Sequence, residues 1–308
     1  MGRHAYCIIA HQDRYNLETL LKLIDDERNI VYLLPDKKSP SGFSGGLSMR
    51  RASLTVIPPE KRIDIRWGGL SQVKAELLLF KEALAGPGFS YLHLLSGADL
   101  PIKTQDHIHT FFENTTPGTN FIGFSSGEAT EKDIHVKTTF HHLFTERQKL
   151  PPDASLADKI IFPAAKLMHH GFLSFQKISG IKRKRRYKDI RKGSNWVSIT
   201  KEFTSFLVSK ENEILKNFKG VICADEIYKQ TLAANSSFSD TVCTYEPSNG
   251  GGTREIDWNK GNPYVWRTKD YDELENSEAL FARKFSSSTD SGIIDMIRDR
   301  ILKSDSLD

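Results

Sequence analysis

The chain has 308 residues, of which 38% are hydrophobic and 27% are charged, as in an ordinary soluble globular protein of one large or two moderate domains. The N-terminus reaches His11 and Asp13 too soon for a signal peptide, and no stretch approaches the roughly 20 apolar residues of a membrane span. We therefore expect a cytoplasmic protein. The three cysteines follow neither a disulfide pattern nor a metal-ligand spacing, and we expect them to be reduced packing residues.

The net charge of +4 comes from a single segment. Between Lys182 and Lys192, the stretch KRKRRYKDIRK contains eight Lys or Arg residues and one Asp. It could be a solvated loop, a patch for anionic lipid or nucleic acid, or a contact for an anionic substrate. Recognition of nucleic acid would also require interleaved aromatic residues, and only Tyr187 is present. The solvated and lipid-facing interpretations are therefore favoured, and no nucleic-acid partner is expected.

Residues 1–125 alternate between predicted strands and predicted helices. The strand candidates are AYCIIA, IVYLL, SLTVI, FSYLHLL and NFIGF, and the helix candidates between them include NLETLLKLIDDERN, GGLSQVKAELLLFKEALAGPG and TQDHIHTFFEN. This alternation predicts an α/β fold with a largely parallel sheet, helices on both faces, and ligands at the carboxyl ends of the strands. We interpret residues 1–125 as a doubly wound, nucleotide-binding half.

The pattern changes after Phe124. Residues 126–192 are polar and rich in His and Lys; KLPPDASLADK is a predicted surface loop and AAKLMHHGFLSF a predicted helix. We interpret this region as an insertion or acceptor-side subregion that ends in the basic run. A strand in SNWVSIT and a helix in KEFTSFLVSKENEILKNF resume the fold in residues 193–285, and residues 286–308 form a C-terminal tail or helix.

A Gly- and Asn-rich segment, PSNGGGTREIDWNKGNPYVW, contains Trp258 and Trp266. Aromatic rings in such a loop pack against the apolar faces of sugars, but they can equally be small core anchors. Asp270 and Asp272 follow in DYD, which matches a loose Asp-x-Asp metal pattern. Because they begin a predicted helix instead of ending a buried strand, we assign no metal to them.

The stretch ICADEIYKQTL contains the adjacent carboxylates Asp225 and Glu226. Asp225 is a favoured N-cap residue, and Glu226 would lie in the first helical turn, where the helix dipole favours negative charge. Taken alone, the stretch is typical of a helix start. A catalytic role for one of the two carboxylates stays open at this point.

Eight stretches, taken in order, resemble one family, the core-2/I-branching β-1,6-N-acetylglucosaminyltransferases of glycosyltransferase family 14, which also includes the protein xylosyltransferases. They span about residues 4 to 285 and read HAYCIIAHQD, YLLPDKKS, RWGGLSQVKAELLLFKEAL, YLHLLSGADLPIK, GSNWVSIT, ADEIYKQTL, REIDW and LFARKF. The resemblance implies a GT-A fold and an inverting transfer from a UDP-sugar, with N-acetylglucosamine as the first candidate, to a hydroxyl of a glycan or glycolipid. It also implies that no metal or other cofactor is required.

The acceptor side of such a reaction needs a base that removes the proton of the attacking hydroxyl. The resemblance assigns this role to Glu226. It places Asp225 beside the base as a structural helix cap and counts Asp225 among the substrate-binding residues. Trp258 matches a tryptophan that contacts the acceptor.

The donor side needs groups that stabilise the departing diphosphate. The resemblance implies that basic side chains do this, namely Lys284 with Arg283 in LFARKF, and Arg267, which is matched across a gap. Arg can bridge two phosphate oxygens, whereas Lys supplies a point charge.

The uridine side is expected at the ends of the first two strands, at Ala10, His11 and Asp36. Here the sequence has LPDKKS where the family usually has His-x-Asp-Lys-Lys-Ser, so Pro35 marks a departure. Asp99 in SGADLP lies where a metal motif would be, and we expect it to organise that turn near the donor.

Animal members of the family carry a membrane anchor, a stem and paired cysteines, which this sequence lacks. The resemblance therefore suggests a bacterial-type, cytoplasmic enzyme of surface polysaccharide or glycolipid synthesis, peripheral on the inner face of the plasma membrane. The basic run would face anionic lipid at about 1 kcal/mol per nearby cation. The alternatives are a xylosyl- or other UDP-sugar transferase, a metal-dependent transferase that uses Asp270 and Asp272, and a non-catalytic glycan- or nucleic-acid-binding protein.

Overall fold

The structure is a computed structural model that describes residues 2–150, 154–184, 186–243 and 253–304. Its strands within these ranges are β1 (His4–Ala10), β2 (Asn29–Pro35), β3 (Ser53–Val56), β4 (Tyr91–Ser96), β5 (Asp99–Pro101), β6 (Asn120–Phe121), β7 (Ser198–Thr200), β8 (Val242–Cys243), β9 (Arg254–Ile256) and β10 (Phe281–Arg283). Its α-helices there are α1 (Arg14–Leu23), α2 (Leu70–Ala85), α3 (Gln105–Glu113), α4 (Glu128–Thr139), α5 (Leu156–Ser179), α6 (Lys201–Ser209), α7 (Glu211–Phe218), α8 (Tyr228–Ala234), α9 (Tyr271–Asn276) and α10 (Ser291–Ser304).

A seven-stranded sheet with the order β3-β2-β1-β4-β7-β6-β8 forms the centre of the molecule. Strands β1 to β4 run parallel to one another, whereas β7 runs antiparallel to both β4 and β6. A smaller sheet has the order β5-β10-β9 and begins directly after β4. This arrangement confirms the predicted α/β class with a Rossmann-like, mostly parallel sheet, as expected for a GT-A glycosyltransferase.

Successive residues of β1 face two different apolar cores, because side chains alternate between the two faces of a sheet. One core contains Tyr6, Ile8 and Ala10 together with residues of α1 and α10. The other contains the alternate residues Cys7 and Ile9 of β1 together with residues of α2, α6 and α8. Both faces of the central strands are therefore covered, which explains why β1 and β2 are buried over their whole length. A ligand can reach these strands only at their ends.

The region between β6 and β7 contains α4 and α5. Helix α5 begins inside the stretch that the sequence predicts to be a surface loop, so that prediction is wrong from Leu156 onwards. Its start is stabilised by a capping box, in which the Ser155 hydroxyl accepts a hydrogen bond from Asp158 N and the Asp158 carboxylate accepts one from Ser155 N. No helix of the described ranges is long and apolar enough to cross a membrane.

Candidate active site

The carboxyl ends of β1 and β2 bring His11 and Asp36 together. The Asp36 amide donates to the carbonyl of Ala10 at 2.7 Å, and Lys38 Nζ donates to both carboxylate oxygens of Asp36 at 2.9 and 3.0 Å. Desolvation by the surrounding protein lowers the pKa of His11; Asp36 opposes this shift, and the nearby Lys284 adds to it. His11, which is predicted at the uridine, and Lys284, which is predicted at the diphosphate, therefore lie close enough for their charges to interact.

Asp99 is buried at the turn after β4 and binds both that turn and Arg283. Its carboxylate accepts hydrogen bonds from Ser96 N at 2.6 Å and Ser96 Oγ at 3.0 Å, and Arg283 Nη1 lies 2.5 Å from its Oδ1. The guanidinium carbon of Arg283 lies 4.4 Å from the ring centroid of Trp196. Asp99 and Trp196 thus hold Arg283 in one orientation.

Lys284 follows Arg283 and differs from it in its surroundings. Burial lowers the pKa of Lys284, and the neighbouring Arg283 lowers it further, while Asp99 opposes the shift. Within the described part of the chain its ammonium group has no ion pair. A partly buried cation without a carboxylate partner is a natural binding point for an anionic ligand.

Arg267 and Trp258, the other two residues predicted from this region, are less buried than Lys284. Arg267 is exposed, and the amide of Trp266 before it donates to the carbonyl of Lys284 at 3.0 Å. Among the described residues the Arg267 side chain forms no ion pair, so the chain is tied to the candidate donor site at Trp266 while the Arg267 guanidinium is not. Trp258 is half exposed and is available as an acceptor platform.

Trp266 is fully buried, which excludes it as a sugar platform. Its Nε1 donates to the carbonyl of Arg283 at 2.9 Å. Trp266 is therefore the core anchor that the sequence analysis left as an alternative, and it fixes the backbone that carries the two cations. Residues 247–252, at the start of the Gly-rich segment, lie outside the described residues.

Glu226 lies in a short 3-10 helix over Ala224–Glu226, and not in the first turn of an α-helix. Helix α8 begins only at Tyr228, and neither element has a side-chain cap. The prediction that Asp225 is an N-cap is therefore wrong. The 3-10 helix begins after Cys223, whose φ of 52° turns the chain sharply before the two carboxylates.

Two lysines that are distant in sequence approach the carboxylate of Glu226. Lys192 Nζ lies 3.4 Å and Lys137 Nζ lies 3.6 Å from Oε2. Both ammonium groups also contact Asp133 Oδ2, at 2.6 and 2.8 Å. Burial lowers the pKa of Lys137, but its acidic neighbours Cys223, Glu226 and Asp133 raise it above its ordinary value. The sequence analysis missed this cluster: Asp133 and Lys137 are four residues apart on α4, a spacing that by itself indicates only a surface ion pair.

Asp225 belongs to a second, more deeply buried charge network. Lys229 Nζ lies 2.6 Å from Glu76 Oε2, and both side chains are fully buried. The same ammonium donates to the carbonyl of Asp225 at 3.0 Å and to Asn195 Oδ1 at 2.7 Å. Burial and the negative charge of Glu76 raise the pKa of Asp225 to about 7. The Glu226 carboxylate therefore contacts Lys137 and Lys192, whereas Asp225 joins the buried network through its backbone carbonyl.

The segment from Gly193 to Trp196 connects the acceptor and donor sides. Gly193 N donates to the carbonyl of Glu226 at 2.9 Å, and Trp196 stacks on Arg283. These three residue steps span at most about 11 Å. A Cβ at Gly193 would lie 1.6 Å from the carbonyl oxygen of Gly123, so this position requires glycine. The proposed base and the cations thus border one short segment.

No group of three or more His, Cys, Asp or Glu residues in the described ranges could hold a metal ion. Asp270 accepts hydrogen bonds from Arg267 N and Tyr264 Oη, both at 3.0 Å, and it precedes α9 instead of ending a buried strand. At the strand end where the metal motif would lie, Asp99 is paired with Arg283. The direct partner of the Asp99 carboxylate is therefore the guanidinium of Arg283.

Comparisons with known proteins agree with the sequence resemblance. Residues 4–279 match the family model described as Core-2/I-Branching enzyme. Xylosyltransferase 2 of Rattus norvegicus is 22% identical over 96% of this chain and 33% of its own length. The mouse enzyme named beta-1,3-galactosyl-O-glycosyl-glycoprotein beta-1,6-N-acetylglucosaminyltransferase 3 is 28% identical over 33% of this chain and 24% of its own length. The chain therefore spans about a third or less of the length of these curated relatives.

Two solved structures show the level of structural likeness. The apo form of mouse xyloside xylosyltransferase 1 has a TM-score of 0.40 and 10% identity, and the alignment covers 91% of this chain and 96% of that one. The galactosyltransferase LgtC, in complex with donor and acceptor sugar analogues, has a TM-score of 0.39 and 12% identity, with 96% and 95% covered.

Proposed function

Because this chain belongs to the Core-2/I-branching enzyme family, we propose that it is a glycosyltransferase that moves a sugar from a UDP-sugar to a hydroxyl of a glycan or glycolipid. The observation that carries the proposal is that Glu226 and the adjacent cations Arg283 and Lys284 adjoin opposite ends of one short segment. The backbone of Glu226 contacts Gly193 at one end of the segment, and Lys284, whose ammonium has no ion pair in the described residues, follows the arginine at the other end. Inverting transfer needs such a pair, a base and a cation for the leaving group.

In the proposed reaction the acceptor hydroxyl oxygen attacks the anomeric carbon from the face opposite the diphosphate. The bond between that carbon and the diphosphate oxygen breaks, its electron pair stays on the oxygen, and UDP leaves. Glu226 takes the proton of the hydroxyl. The configuration at the anomeric carbon inverts, because one displacement occurs without a covalent intermediate.

Lys137 and Lys192 hold the Glu226 carboxylate in place for this proton transfer. Each is also tied to Asp133, so neither ammonium depends on Glu226 alone for a partner. A base whose position is fixed before the substrate arrives needs no reorganisation during the reaction.

We propose that the donor site works without a metal ion. Arg283 is held by Asp99 and Trp196, and the ammonium of the adjacent Lys284 has no ion pair in the described chain. Together they can supply the positive charge that a divalent cation would otherwise bring to the diphosphate. Asp36 and His11, at the ends of neighbouring strands, are proposed to contact the uridine.

The relatives leave two candidates for the sugar. N-acetylglucosamine is the first, as in the mouse N-acetylglucosaminyltransferase, whose match is local. Xylose is the second, because the match to rat xylosyltransferase 2 extends over nearly the whole chain. Polysaccharide or glycolipid synthesis, by a peripheral enzyme on the cytoplasmic side of a membrane, remains the proposed setting.

A calorimetric titration with UDP in EDTA, followed by a donor panel assayed for UDP release, tests the proposal. We expect UDP to bind in EDTA and one UDP-sugar to be turned over in the presence of an acceptor. Binding that appears only after Mn²⁺ or Mg²⁺ is restored would contradict the metal-independent donor site. Absence of UDP binding under both conditions would contradict the proposed function itself.

A further inference from the structure

Helix α5 is attached to the rest of the molecule along one line of residues. Gln176 Oε1 accepts from His141 N at 2.8 Å, and its Nε2 donates to the carbonyl of His141 at 2.9 Å. Two turns earlier, His169 Nδ1 accepts from Leu143 N at 3.2 Å. Ala165, one turn before His169, is buried. These spacings of four and seven residues define one face of the helix as its packing face.

The opposite face of α5 exposes large apolar side chains. Leu156, Ile160, Leu167 and Ile178 are 75% to 88% exposed. At 3.6 residues per turn, these four positions lie within about 40° of one another around the helix axis. Single exposed apolar residues are common, but an aligned row along a helix of about 36 Å marks an interaction surface.

Cations border this apolar row. Lys159, Lys166 and Lys177 are exposed and share one flank of α5, seven and eleven residues apart. Beyond the C-cap Gly180, Lys182, Lys184 and Arg186 are exposed as well. These last three also line a cavity of about 310 Å³ beside α4. The row of apolar side chains is therefore adjacent to a cluster of positive charge.

We propose that α5 lies in the plane of an anionic phospholipid surface, with Leu156, Ile160, Leu167 and Ile178 among the lipid chains and the exposed cations Lys182, Lys184 and Arg186 on headgroup phosphates. An amphipathic helix binds an interface in this way when apolar burial and attraction to anionic lipid act together. The lysines on the flank of the helix can extend toward the headgroups while their methylene groups stay against the apolar region.

The charge pattern favours a lipid surface over a second copy of the chain. A symmetric dimer through α5 would place the same patch of each copy against the other, and with it two sets of like charges. An anionic surface neutralises those charges. The sequence left a solvated loop and a lipid contact open for the basic run, and the structure adds an apolar surface beside it.

The arrangement also restricts which cations belong to this surface. Arg183 donates to the carbonyls of Lys219 and Asn217, both at 2.7 Å, and Lys192 contacts Glu226. These two residues are therefore excluded from the test variants. The inference deepens the peripheral setting that the proposed function includes, but its test is independent of activity, since lipid binding can be measured without donor or acceptor.

Co-sedimentation with vesicles tests the proposal, using phosphatidylcholine alone and phosphatidylcholine mixed with phosphatidylglycerol. We expect the wild-type protein to bind the anionic vesicles more tightly. Ile160→Asp with Ile178→Asp should weaken this binding by about tenfold or more per site. Lys182→Gln with Lys184→Gln should weaken it by about fivefold per cation. Met296→Asp, on an exposed position of α10, is the matched control and should bind as wild type.

Melting curves and light scattering accompany the binding assay. If the double aspartate variant does not fold, Leu167→Gln replaces it, since this outward side chain is polar but uncharged after the change. Equal binding of wild type and both double variants overturns the proposal, as does the absence of wild-type binding. A lipid-free dimer that the aspartate changes convert to a monomer, without wild-type vesicle binding, assigns the surface to a second copy instead.

Discussion

Arg283 and Asp99 face each other across antiparallel strands, and Nη1 of Arg283 lies 2.5 Å from Oδ1 of Asp99. The guanidinium carbon of Arg283 lies 4.4 Å from the ring centroid of Trp196, which covers it. The next residue, Lys284, has no ion pair in the described chain. Of two adjacent cations, the protein therefore fixes one and leaves the other available for an anion.

We expect Asp99→Asn to weaken UDP binding without removing a side chain that contacts UDP, because Arg283 loses the charged partner that orients it. The loss should be about 1.5 to 3 kcal/mol, typical of a hydrogen bond to a charged group. Calorimetry with UDP measures it. Glu273→Gln removes the exposed partner of Lys260, 2.8 Å away, and as a control should change little. Unchanged UDP affinity in Asp99→Asn would show that Arg283 does not act on the diphosphate.

Lys284→Ala should also weaken UDP binding by about 1.5 to 3 kcal/mol, because it removes the available cation. The same direction is expected for Arg267→Ala, if its exposed guanidinium reaches the diphosphate in the complex. Lys269→Ala is the control, since it removes an exposed cation from the same segment. Wild-type affinity in Lys284→Ala contradicts the assignment of the diphosphate site.

The two adjacent carboxylates should fail in different ways. Glu226→Gln keeps the side-chain shape but removes the base, so turnover should fall by about 10² to 10⁴-fold. UDP affinity and the melting temperature should stay close to wild type. Asp225→Asn should retain turnover to a much greater extent. Normal turnover in Glu226→Gln together with an inactive Asp225→Asn would reverse the assignment of the base.

Asp225 also predicts a pH dependence of stability. Burial and Glu76 raise its pKa from 3.8 to about 7, so between these values the folded state binds the proton more tightly than the unfolded state does. The stability contributed by this group is therefore complete below about pH 4 and is lost as the pH rises through 7. Melting temperatures of wild type and Asp225→Asn across this range measure the contribution. The melting temperature of wild type, relative to that of the variant, should fall as the pH rises. A difference that stays constant would contradict the raised pKa of Asp225.

We expect the cations of the basic run to differ in their effect on turnover. Lys192→Met removes a contact to Glu226 and should lower turnover on a soluble acceptor by about tenfold to a hundredfold. Lys184→Met changes an exposed cation of the same run and should leave that turnover unchanged. If both variants keep wild-type turnover, Lys192 does not position the base.

The motif positions and the alternation of strands and helices could be predicted because both depend on short-range patterns. Buried strands such as β1 and β4 are largely apolar runs, and the helices between them repeat apolar residues at helical spacing. The candidates Glu226 and Lys284 came instead from the resemblance of short motifs to those of the family. What such motifs cannot predict is the partner of each charge.

Only the tertiary structure decided those partners, because they come from elements far apart in the chain. Lys137 on α4 meets Glu226, and Asp133 meets Lys137, only because the fold places α4 next to the 3-10 helix. The same folding decided that Trp266 is buried while Trp258 is exposed. It also decided which face of α5 packs against the protein, since a helix with apolar residues on several sides does not specify by its sequence which of them will meet solvent.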